Sequence, residues 1–105
     1  MSVYSTLFYS GPLTVAGAVI YTAASGVVIV VRDIEYYNFS GAAQTAQVAR
    51  YVSGSTAGAV NYSVLPAVQQ TTQWKGRAVI NQLESIWVQG SSASIGIMVS
   101  GYLLS

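Results

Sequence analysis

The sequence predicts an all-β fold, an antiparallel β-sandwich of jelly-roll type with about seven or eight strands. Three observations predict it. Small or turn-forming clusters recur at Ser10-Gly11-Pro12, Ala24-Ser25-Gly26, Ser40-Gly41, Ser53 to Gly58 and Gly90-Ser91-Ser92. The runs between them are rich in Val, Ile, Tyr and Thr, the residues that fit a pleated, half-buried surface. No window carries an apolar stripe at i, i+3, i+4, i+7 over three turns, and Leu65-Pro66 breaks one of the few helical candidates.

The expected strands are 3–9, 15–22, 27–38, 44–52, 60–65, 73–80, 84–89 and 94–103. With 105 residues the chain reads as one domain, 1–105. Within it, residues 1–12 are either an extra edge strand or an arm that docks on a neighbour. The stretch Leu13 to Val31 has no ionisable group and is long enough to raise the question of a membrane helix. It is interrupted by Thr22-Ala-Ala-Ser-Gly26 and is rich in Val and Ile, so two strands around a turn fit better.

The strand at 27–38 is apolar on both faces over Val27 to Val31. An antiparallel sheet usually wets one face, so the outer face here is expected to be covered, by the chain itself or by another subunit. The apolar phase shifts near Arg32-Asp33, which predicts a bulge. Ser40-Gly41 predicts a turn into Gln44 to Val52 as hairpin partner. The last strand alternates cleanly, with Ile95, Ile97 and Val99 expected on the core face.

Composition removes many functions. The chain has 4 Lys+Arg, 3 Asp+Glu, no His and no Cys. Disulfides, thiolate nucleophiles, zinc sites and Ser-His-Asp triads are therefore excluded. No cofactor or metal is expected, and no enzymatic activity. A net charge of +1 with scattered cations gives no footprint for nucleic acid. Asp33 and Glu35 share a strand face, as paired carboxylates for acid–base work would, but solvated charges or partners for Arg32, Arg50 or Arg77 are the simpler reading. Asn38-Phe39-Ser40 and Asn61-Tyr62-Ser63 match the glycan-acceptor pattern, and chance accounts for them in so serine-rich a chain. Two Trp and eight Tyr could stack on sugars or bases. Packing in a core or a subunit contact is the stronger reading for them.

One layout resembles a known group. Tyr21-Thr22 leads to a short turn ending at Gly26, then a Val/Ile strand into Arg32-Asp33-Ile34. Asn38 and a small-residue turn follow, then a strand ending at Tyr51-Val52. After a loop comes Trp74-Lys75-Gly76-Arg77-Ala78-Val79-Ile80-Asn81, and the chain closes with Ile86-Trp87-Val88 and Val99-Ser100-Gly101-Tyr102. This resembles small tailed-bacteriophage virion proteins, minor tail or capsid accessory proteins, whose pattern runs Y-T-V-P-A-G, R/K-D-I, N, W-x-G-R-x-V-L, G-D and S-G-Y. Ala24 stands where that pattern has proline, and Leu83-Glu84 where it has glycine-aspartate.

The resemblance implies a structural subunit in the virion. Its expected partners are copies of itself and other phage tail or capsid proteins, with no nucleic acid and no membrane. The expected contact residues are Tyr4, Phe8, Val27, Ile29, Val31, Tyr37, Tyr51, Trp74 and Trp87. A glycan-binding module at a tail tip, engaging a host-surface glycan, is the alternative, and a small membrane protein of holin type a third.

Overall fold

The structure, a computed structural model, describes residues 3–67 and 71–105. Its strands are β1 (Val3–Pro12), β2 (Ala18–Thr22), β3 (Val28–Asn38), β4 (Gln44–Val52), β5 (Ser55–Leu65), β6 (Thr71–Ile80), β7 (Ser85–Gly90) and β8 (Ile95–Leu104). They form two antiparallel four-stranded sheets in the orders β1-β8-β3-β6 and β2-β7-β4-β5. The molecule is an all-β sandwich, as the turn spacing predicts.

One pairing rule generates both sheets. β1 pairs with β8, β2 with β7, β3 with β6 and β4 with β5. The chain is thus one long hairpin whose tip is the β4–β5 turn. Rolling that hairpin brings β8 against β3 and β7 against β4. This is jelly-roll connectivity. The tip is a two-residue turn in which Ser53 and Gly54 both have positive φ, 51° and 87°. A type I′ turn needs that geometry, and it matches the twist of the flanking strands. β5 therefore starts at Ser55, earlier than the predicted 60. The small residues there are strand because Val52, Tyr51 and Arg50 offer ladder partners.

The Ser40-Gly41 turn corrects one expectation. β3 and β4 are not hairpin partners, because they lie in different sheets. The loop between them carries the chain across the sandwich, which lets both strands turn an apolar face inward. Asn38 holds the crossing. Its carboxamide oxygen accepts from the Ser40 N–H at 2.9 Å and the Ser40 hydroxyl at 2.7 Å. Its amide donates to the Ala42 and Pro66 carbonyls at 2.7 and 3.1 Å. Asn38 is buried with both ends of its side chain bonded.

The bulge predicted near Arg32-Asp33 is present. β3 shifts register between Val31 and Asp33 against both β6 and β8. Before it, Ile29 and Val31 face the core; after it, Ile34 and Tyr36 do. Val30 points outward yet is fully buried, flanked across the sheet by Val79 and Tyr102. The chain itself covers this part of the two-sided strand. Ile95, Ile97 and Val99 lie in the core, as the alternation predicts. Leu13 to Val31 supplies β2 and the start of β3, and among the described residues no helix is long and apolar enough to cross a membrane.

The β2–β3 and β6–β7 turns dock on each other. The Ala23 N–H donates to the Glu84 carbonyl, and the Leu83 N–H to the Ala23 carbonyl, both at 2.9 Å. Leu83 adopts φ of 66° in this contact while remaining exposed. A left-handed backbone costs a non-glycine residue about 1–2 kcal/mol, and glycine's extra freedom when unfolded gives back about half of that. Leu83→Gly is therefore expected to stabilise the fold by about 0.5 kcal/mol, or about 2–4 °C in Tm by calorimetry. A lower Tm would show that the turn is not strained.

Candidate functional site

The strand alternation sorts the few charges onto one side. Asp33 and Glu35 on β3 and Lys75 and Arg77 on β6 point outward from the first sheet, and Arg32 sits exposed in the bulge. These are five of the seven charged side chains. Arg50 and Glu84 are the other two, and they face each other at the rim with 3.6 Å between Nε and Oε1.

The two carboxylates share one partner. Gln73 Nε2 donates to both oxygens of Asp33 at 3.2 and 3.1 Å, and to Glu35 Oε1 at 3.2 Å. One amide thus sits between the two side chains.

The outer face of the second sheet is different in kind. Val19, Gln47, Tyr51, Tyr62, Val64 and Trp87 point out from it by register, and among the described residues no Asp, Glu, Lys or Arg points out with them. Tyr62 and Val64 are 61% and 67% exposed. Trp87 packs against Gly17: a Cβ at Gly17 would stand 2.1 Å from indole Cζ2, on a backbone already at φ of 84°. Beneath the indole, its cross-strand neighbour Ala49 is fully buried while facing outward.

A second feature lies at one end of the first sheet's outer face, a groove of about 400 Å³. The Tyr37 and Phe39 rings meet there at 4.4 Å between centroids, tilted by 58°. Gly96 forms the floor under Phe39, with Glu35, Thr71 and Met98 at the sides.

The residues expected at contacts divide. Phe8, Ile29 and Val31 are core residues of the sandwich itself, a correction that follows from their inward phase on β1 and β3. Phe8 packs edge-on against Tyr21 at 5.0 Å. Trp74 packs inward beside Gly76, so it does not share a face with Lys75 and Arg77. Val27 is half-buried in the β2–β3 turn. Tyr4 is exposed on β1, which forms an edge of the first sheet through its pairing with β8. Tyr37 belongs to the groove, and Tyr51 and Trp87 to the uncharged face.

Tyr62 and Val64 escaped sequence reasoning because β5 reads inside out. Its more polar residues, Asn61 and Ser63, point inward. Asn61 Oδ1 accepts from the Tyr36 hydroxyl at 2.6 Å and from the Ser63 hydroxyl at 2.8 Å. The phenol buried on β3 requires an acceptor, and that fixes the phase of the facing strand.

Burial pushes the Tyr36 phenol well above its ordinary value of 10.0, while Ser63 pulls it down by less. The folded state thus favours the neutral phenol. Its contribution is complete below about pH 10 and is lost as pH rises beyond that. Tyr36→Phe is expected to cost about 1 kcal/mol at neutral pH, and to flatten the fall of stability above about pH 10. Urea midpoints across that range would show it; an unchanged alkaline slope would remove Tyr36 from the explanation.

No group of three or more metal-ligating side chains occurs among the described residues. Comparison of the chain with protein-family models, curated proteins and solved structures finds no match.

Proposed function

We propose that this chain is a non-enzymatic structural subunit of a tailed-phage virion, packing on copies of itself and on a larger tail or capsid assembly. The observation that carries the reading is the charge segregation. One broad face carries no charged side chain among the described residues and presents Trp87, Tyr51, Tyr62, Val19 and Val64. Permanent contacts are depleted of charge and enriched in aromatics at their centres, because a buried charge costs desolvation that an apolar or aromatic group does not.

Two further points support it. Leu83, where the phage pattern has glycine, holds the left-handed backbone that glycine adopts without strain. Jelly rolls also recur in viral capsid proteins, a likeness at the level of the fold.

Antibody detection across a density gradient of purified particles tests the proposal. The protein is expected to sediment with particles at fixed stoichiometry. A protein expressed in infected cells but absent from particles would overturn it.

The groove favours a second reading, a glycan-binding module at a tail tip. The exposed Phe39 ring beside the half-buried Tyr37, with a carboxylate and a hydroxyl alongside, suits a sugar, whose C–H face stacks while its hydroxyls bond. Phe39→Ala should then abolish binding on a glycan array, and a blank array with the native protein would remove this reading.

A further inference from the structure

The uncharged face also specifies its partner. We infer that two copies of this chain associate through the outer faces of their second sheets, about a two-fold axis that sets each β2-β7-β4-β5 sheet against the other. The inference rests on the subunit reading and goes beyond it, since it names the face, the occupant and the symmetry.

Charge decides among the pairings that two copies could make. Face-to-face contact through the first sheets would bring Arg32, Asp33, Glu35, Lys75 and Arg77 of both copies out of water. Contact of a first sheet with a second sheet would bury the same five charges against a face that has no ionic partner for them. Contact between two second sheets buries none. Desolvation costs several kcal/mol per ion and is repaid only by pairing of excellent geometry, so the arrangement that buries no charge is favoured.

Symmetry points the same way. A face that meets its own copy forms a closed dimer, whereas a first-to-second-sheet contact leaves a free face at each end and propagates. The size is adequate as well. The molecule measures 44 × 26 × 18 Å, and a face set by the two longer extents can supply the roughly 800 Å² per partner of a standard interface.

The face is already stiff where the contact would be made. Trp87 is pinned against Gly17, and Gln89 Nε2 is fixed by the Val15 carbonyl at 2.7 Å. Little side-chain freedom is left to lose there on association. Tyr62 and Val64 flank this centre, and water leaves them only when the second copy arrives.

Size-exclusion chromatography with light scattering over a range of concentrations tests the inference on the full chain. The native protein is expected to be a dimer. Tyr62→Glu and Val64→Lys are each expected to raise the dimer dissociation constant by about 100-fold, because the axis places every substitution twice. Both positions are exposed, so the far-ultraviolet circular dichroism should stay that of the native chain. Leu7→Lys, on the outer face of the first sheet, should leave the dimer intact.

A native protein that stays monomeric at high concentration overturns the inference, as does a dimer that Tyr62→Glu and Val64→Lys leave unchanged. A monomer that still sediments with particles, and loses this through Tyr62→Glu, would assign the face to a larger virion protein instead. That result removes the two-fold contact and leaves the subunit reading standing. A dimer that never enters particles would do the reverse.

Discussion

Gly101→Ala is expected to bring the protein to the edge of unfolding, at a cost of at least about 4 kcal/mol against the 5–15 kcal/mol typical of a whole domain. A Cβ at this position would stand 1.9 Å from the Val30 carbonyl oxygen, 3.0 Å from its carbon and 3.1 Å from the Arg32 nitrogen. All three atoms are backbone, and no flexible side chain can move aside. They belong to the central strand β3 at its bulge, where Val31 pairs with Gly101 and the register then slips by one residue. The bulge pushes β3 against β8, and only a residue without Cβ admits that approach. Relief would require β8 to separate from β3 along a ladder that runs from Val28 to Asn38. Urea unfolding followed by tryptophan fluorescence gives the loss directly. A midpoint within about 1 kcal/mol of the native protein would mean that the bulge relaxes cheaply and that the close approach of β3 does not require glycine.

Gly101 also shows how far the sequence could be read. Ser100-Gly101-Tyr102 was legible as a motif, but its physical reason was not. The glycine answers to a bulge more than sixty positions earlier in the chain, and no local pattern links the two. The bulge itself was legible, because an extra residue inverts the apolar phase and leaves Arg32 where Val should recur. Strand positions were legible for the same reason, since β-branched runs between turn clusters carry their own signal.

Strand partnership was not legible. Ser40-Gly41 looks like a hairpin turn because Gly41 can take a positive φ, which it does at 76°. Whether such a turn folds a strand back in its own sheet or across to the other depends on which inner faces meet, and that is a tertiary decision. The contact residues divided on similar grounds. An apolar residue marks itself as one that avoids water, but Ile29 and Val64 do so equally well. Only the phase of each strand against the opposite sheet separates them, and on β5 the Tyr36 hydroxyl fixes that phase through Asn61.

Val31→Asp is expected to abolish the fold of the isolated chain. Val31 has no exposed surface and lies in the cluster between the sheets, with Ala78 and Gly101 as its neighbours across the first sheet. A carboxylate there would have no cation within the core, since the charged groups of the first sheet point outward and Arg50 and Glu84 sit at the rim. Leaving it charged costs several kcal/mol or more, and protonating it at neutral pH still leaves a buried hydroxyl and carbonyl without assigned partners. Either route consumes most of a typical domain's stability.

The sequence alone attributes the same substitution to a damaged interface, and the two explanations differ in what they require of the monomer. An interface residue changed to Asp gives a folded, soluble chain that no longer assembles. A core residue changed to Asp gives a chain without β structure at any concentration. Circular dichroism on dilute Val31→Asp, with Tyr62→Glu alongside, separates them. The expected result is a lost β spectrum for the first and a native one for the second. A folded Val31→Asp monomer would move Val31 from the core to the surface, and with it the assignment of β3's inner face.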